Sequence, residues 1–143
     1  MKHFLLVIFL LLTKLVSGQT LIYELLTEDE GSVMQVMKNH NYTFVEHGKS
    51  DDIKYDSYRI AKGTHLGCYF NKKGECYMLL FVTPISTLSD NLDFLNKNYK
   101  NIDKTHWVDE KNTMVINLYS EDHDKNSYLL SYTVSQLIDE VDK

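Results

Sequence analysis

The residues whose chemistry is easiest to name lie in Glu121-Asp122-His123-Asp124-Lys125-Asn126, where Asp122, Asp124 and Asn126 alternate as the first three oxygen ligands of a calcium loop do. The pattern then stops: residue 127 is Ser where such a loop needs Gly, and Thr133 stands where it needs a bidentate acid. A solvated turn between strands is the expectation, and Lys49-Ser50-Asp51-Asp52 reads the same way. His40, His47, His65, His106 and His123 include no i, i+4 pair that would present two imidazoles to one metal from a helix, so they read as surface histidines. No serine sits in a Gly-x-Ser-x-Gly turn, and Asp109 and Glu110 would point to opposite faces of a strand. No catalytic residue, cofactor site or metal site is assigned.

Two other sets of residues carry more. Cys68 and Cys76 flank the turn Asn71-Lys72-Lys73-Gly74 between apolar arms, which is the pattern of a β-hairpin. In an exported protein an oxidised pair is expected, provided that the hairpin register brings the two within disulfide reach. Buried free thiols are the alternative. Tyr55, Tyr58, Tyr69, Tyr77, Trp107, Tyr119, Tyr128 and Tyr132 all fall in strand-like segments. Large rigid rings with polar tips make a partner-binding surface if one sheet face exposes them, and core if helices cover them.

These residues need elements to hold them. Leu21 to Leu26 reads as a short helix, and Ser32 as the cap of a second whose Val33, Val36 and Met37 share a face. Strand-like stretches follow at Tyr42–His47, Ile53–Ile60, Leu66–Asn71 and Cys76–Thr83, closed by Pro84, the single proline. A helix is expected from about Ser86 to Asn98, with Leu88, Leu92 and Leu95 at helical spacing. Ile102–Val108, Met114–Tyr119 and Tyr128–Val134 read as strands, and Ser135–Val141 as a final helical turn or two. The expected fold is α+β, an antiparallel sheet of about six to seven strands with two main helices on one face.

The halves look alike. An offset of 57 sets Ser32 on Ser89, Met37 on Phe94, Asn39 on Asn96, Asn41 on Asn98, Tyr42 on Tyr99 and Val45 on Ile102. Each half reads helix, Asn-x-Asn-Tyr, then strands. Over roughly residues 32 to 134 this order of elements resembles the tandem α-β repeat of the secreted β-lactamase-inhibitory-protein-like fold. The resemblance implies a binding role by analogy of architecture. No residue motif carries it, and no interface residue is transferred.

The N-terminus sets the destination. Met1-Lys2-His3 followed by nine apolar residues, Phe4 to Leu12, then Val16-Ser17-Gly18, is the pattern of a secretory signal peptide cut after Gly18. The apolar run is short of the roughly 20 residues a membrane span requires, so no stable membrane insertion is expected. Residues 19 to 143 are expected to form a single extracytoplasmic domain, secreted or periplasmic. Removing residues 1 to 18 takes Lys2 and Lys14 and no acid, leaving 13 basic against 20 acidic residues and moving the formal charge from −5 to −7. That balance argues against nucleic acid. Asn41-Tyr42-Thr43 is a glycosylation sequon.

The leading function on these grounds is non-enzymatic binding of a protein or peptide by an aromatic sheet face. Binding of a small molecule or glycan is the first alternative, and a small hydrolase the second.

Overall fold

The computed structural model describes residues 20–120 and 125–140. The signal-peptide segment and the Asp122 and Asp124 positions of the calcium-like loop lie outside them. Two helical segments open the described chain, α1 over residues 20–25 and α2 over Glu30–Asn39. The cap of α2 is Asp29 rather than Ser32: its carboxylate accepts from the Ser32 backbone N–H and hydroxyl, and Glu30 then meets the positive helix end. Asn41 follows at φ +59°, the left-handed geometry that asparagine tolerates at a helix exit. Its counterpart in the 57-residue offset, Asn98, stays helical and donates its amide to Phe94 O.

Four strands form a meander, β1 (Thr43–Ser50), β2 (Ile53–Ala61), β3 (Thr64–Phe70) and β4 (Cys76–Pro84). A 3-10 turn, Ile85–Thr87, leads into α3 (Leu88–Asn98). A second meander follows, β5 (Lys100–Asn101), β6 (His106–Asp109), β7 (Met114–Ser120) and β8 (Ser127–Val134), before a last 3-10 turn, Ser135–Glu140. The sheet is antiparallel, with order β1-β2-β3-β4-β8-β7-β6-β5. Each helix-plus-meander unit therefore contributes one half, and the last strands of the two halves pair at the centre. Tyr42 and Tyr99 both introduce a first strand, and each donates its backbone N–H to a carbonyl of the preceding helix.

There are eight strands rather than six or seven because Lys100–Asn101 pairs as a short strand ahead of the expected Ile102–Val108 stretch, which becomes strand only from His106. The Asp103 carboxylate accepts from the Thr105 N–H and contacts His106 Nδ1 at 2.7 Å, while Ile102 N–H bonds His106 O. That turn, over residues 102–105, separates β5 from β6.

Strand alternation divides the sheet into two faces. On the inner face one row crosses all eight strands: His47, Asp56, Cys68, Leu79, Tyr132, Ile116, Trp107 and Asn101 are successive cross-strand partners. Val33 and Met37 of α2, Leu95 of α3 and Leu21, Ile22, Leu25 and Leu26 of the first helical region join the middle of this row, Cys68 to Trp107, in one continuous apolar core. Backbone bonds Thr27 N–H to Cys76 O and Cys76 N–H to Glu28 O tie the α1–α2 link to the start of β4.

The expected disulfide is not formed. Cys68 stands opposite Leu79 and Cys76 opposite Phe70, so the two cysteines are diagonal neighbours, and both are buried free thiols. Their mutual hydrogen bond and their burial push the Cys68 thiol well above its ordinary pKa. A thiol held protonated and out of water reacts slowly. In the native protein both cysteines should therefore resist a thiol-specific chromophoric reagent, and two equivalents should react after denaturation without reductant. A stable disulfide would give none in either state.

Candidate functional site

The eight aromatic residues singled out in the sequence divide between the faces. Tyr58, Tyr77, Trp107, Tyr128 and Tyr132 are buried. Trp107 donates its Nε1–H to Asn96 Oδ1 at 2.9 Å, and Tyr128 OH bonds Thr87 and Asn91. These five build the core and its ties to α3, which leaves them no surface to offer a partner. Tyr55, Tyr69 and Tyr119 lie on the other face, where Tyr119 is 49% exposed and the other two are half-buried.

That outer face has a defined composition. Gly48, Tyr55, Tyr69, Met78, Thr133, Val115, Val108 and Lys100 form a row across all eight strands. Four residues along each central strand runs a parallel row, His65, Val82, Leu129 and Tyr119, with Gly67, Leu80, Ser131 and Asn117 between the two. Met78, Leu80, Val82, Leu129, Val115 and Val108 are each only half-buried. The opposite-face residues of the same strands, such as Leu66, Cys68, Leu79 and Ile116, are fully buried. The helices thus cover one face and leave an apolar surface on the other.

Glycines let the aromatic rings lie down on that surface. A Cβ on Gly48 would come within 2.3 Å of the Tyr55 ring, and one on Gly67 within 2.9 Å of the Tyr69 ring. The two tyrosines pack on each other with centroids 5.4 Å apart, and Tyr55 OH donates to Glu46. Ring orientation is therefore set before any partner arrives.

A cleft of about 600 Å³ opens elsewhere, lined by Tyr23, Tyr99, Asp109, Asn112 and Met114 among others. Tyr23, Asp109 and Asn112 are already engaged with one another. Tyr23 OH donates to Asp109 Oδ2 at 2.6 Å, and Asn112 Nδ2 to the same oxygen at 2.7 Å. Partial burial would raise the Asp109 carboxyl, but these donors outweigh it and hold the group below its usual range; burial and the Asp109 bond push the Tyr23 phenol up.

A third grouping was not foreseen from sequence. Glu30, His47 and Asp56 place one carboxylate, one imidazole and a second carboxylate within 4.8 Å of one another. The sequence alone marks His47 as a surface histidine. The signal that could have found the site is Asp56, an acid at the inward parity of β2 two residues before Tyr58. Asn41 of the sequon is exposed at the exit of α2. Among the described residues no helix is long and apolar enough to cross a membrane. Compared with models of protein families, with characterised proteins and with solved structures, the chain matches none.

Proposed function

We propose that the protein is an exported, non-enzymatic interaction module that takes a protein or peptide partner on the uncovered face of its sheet. The observation that carries this reading is the continuous half-exposed apolar surface built by Tyr55, Tyr69, Met78, Leu80, Val82 and Leu129 opposite the helix-covered face. Contiguous apolar surface of this kind is costly to leave in water and is a mark of interaction sites. Preset tyrosine rings add contact area at little entropic cost. An open sheet surface suits another macromolecule better than a small ligand, which needs a concavity. The cleft at Tyr23 and Asp109 supports the small-molecule alternative less well, because Tyr23, Asp109 and Asn112 already bond one another there.

The test uses the tagged protein as bait in the culture medium or envelope fraction of its native source, alongside the double variant Tyr69→Ala/Leu80→Glu. Both substitutions sit on the uncovered face, so the fold should persist by circular dichroism. A partner recovered by the wild type should bind the variant at least about 30-fold more weakly, the scale set by losing a hot-spot residue of about 2 kcal/mol. Undiminished binding by the variant would overturn the reading. So would turnover in a broad hydrolase screen with no partner recovered.

A further inference from the structure

Among the described residues Asp56 is the one buried carboxylate, 1% exposed and set in the inner row between His47 and Cys68. An ionised carboxylate removed from water is costly unless a cation faces it. The ion-pair partner that the fold provides is His47, whose Nδ1 lies 2.6 Å from Asp56 Oδ1. The same Nδ1 lies 3.7 Å from Glu30 Oε1. Two acids thus converge on one imidazole nitrogen.

The local backbone arranges this convergence. A bulge between Phe44 and Glu46 shifts the β1 register by one residue. Without it, Glu46 would stand opposite Asp56 and set two carboxylates against each other; with it, His47 takes the place. Glu30 is delivered from the other side, as the first residue of α2, by the Asp29 cap and the bridge between Asp29 and Glu75. Tyr58 OH lies 3.5 Å from Asp56 Oδ2, the side of the carboxylate turned away from His47. Burial, followed by the charge of Asp56, raises the Tyr58 phenol, so it stays a donor.

We propose that Glu30, His47 and Asp56 form a binding site for a first-row divalent cation, with Zn²⁺ the best fit. One imidazole nitrogen and two carboxylates are a donor set for zinc, with metal–ligand bonds of about 2.0 to 2.2 Å. Tetrahedral bonds of that length place neighbouring donor atoms about 3.4 Å apart; Glu30 Oε1, 3.7 Å from His47 Nδ1, is close to that spacing, and Asp56 Oδ1, hydrogen-bond close at 2.6 Å, has to move out by under about 1 Å to admit the ion. Calcium and magnesium favour all-oxygen shells and are poorer matches to an imidazole. The site has a buried wall at Asp56 and an open side, since the Glu30 and His47 side chains are 39% and 53% exposed. Water can enter there to complete the coordination shell. Tyr58 supplies the outer hydrogen bond that orients a ligating carboxylate. A bound dication places positive charge against the buried carboxylate. The site lies on the helix-covered side of the sheet and does not depend on the partner-binding face.

Titration of the metal-stripped full chain tests the proposal, with Zn²⁺ followed by calorimetry and Co²⁺ by visible absorption. One equivalent of each metal should bind saturably, with ligand-field bands of cobalt in oxygen and nitrogen coordination, and chelation should lower the melting temperature. Glu30→Gln and His47→Gln alter partly exposed side chains and should fold. Each should weaken Zn²⁺ binding by at least about 10-fold, and Tyr58→Phe by about 10-fold or more, as outer-shell substitutions do. Asp56→Asn should abolish binding. The proposal fails if the wild type shows no saturable binding, if Glu30→Gln and His47→Gln bind as it does, or if a strong thiolate-to-cobalt absorption puts the metal on Cys68 and Cys76.

Discussion

Replacing Trp107 by alanine is expected to destabilise the protein by about 3 to 5 kcal/mol. The indole is 1% exposed, stands opposite Ile116 in the inner row, and donates to Asn96 of α3. Truncation would empty the largest fully buried side-chain volume and leave the Asn96 carbonyl without its donor. Natural domains are held by only about 5 to 15 kcal/mol, so this one change should consume a large part of the total. Trp107→Phe separates the contributions. It retains an aromatic ring and loses the N–H, and should cost about 1 to 2 kcal/mol for the hydrogen bond with a small added packing term. Chemical denaturation followed by far-ultraviolet circular dichroism measures both, since the change removes the single tryptophan and its fluorescence. Were Trp107 a surface contact for a partner, truncation would leave stability within about 0.5 kcal/mol and reduce binding instead.

That distinction between core and surface is where sequence reading ran out. Alternation in β2 and β3 separates Tyr55 and Tyr69 from Tyr58 and Leu66, because successive side chains point to opposite faces. It does not say which parity the helices will cover. That choice is made by the packing of Val33, Met37 and Leu95, residues that a helical pattern marks as apolar without naming the strand they meet. The hairpin around Asn71 was legible from its turn residues, but its register was not. One residue of irregularity between Tyr69 and Phe70 is enough to set Cys68 opposite Leu79.

The proposed metal site was hidden for the same reason. His47 faces Asp56 only because the chain bulges at Val45, and Glu30 arrives from a helix 17 residues earlier in sequence. The tandem layout was easier to see, since helix spacing, the Tyr42 and Tyr99 positions and Pro84 are local signals. Its regular offset was not kept throughout. Met114 begins β7 50 residues after Thr64 begins β3, not 57, because β5 and β6 are shorter than β1 and β2.

The pairing of the two halves yields the other large expectation, that neither folds alone. β4 and β8 join through seven cross-strand pairs from Met78–Thr133 to Pro84–Ser127, and Phe81 meets Tyr132 edge-on with centroids 5.6 Å apart. Cutting between Pro84 and Ile85 would leave residues 20–84 and 85–143 each with a long unpaired strand edge and half of a shared core. A chain of about 60 residues buries only about 60% of its unfolded surface even when its core is complete. Here the core is divided at its centre: Leu79 would lose Tyr132, and Leu130 would lose Phe81. Each fragment should give a disordered circular dichroism spectrum at low concentration, with strand edges that promote self-association as concentration rises. Mixing should restore the sheet. Trp107 lies in the second fragment alone, so its emission provides the readout, red-shifted in the isolated fragment and blue-shifted on complementation as α3 and the inner row close over the indole. A cooperatively folded isolated half with native-like tryptophan emission would instead make the chain two domains in tandem, with β4 and β8 as an interface between them.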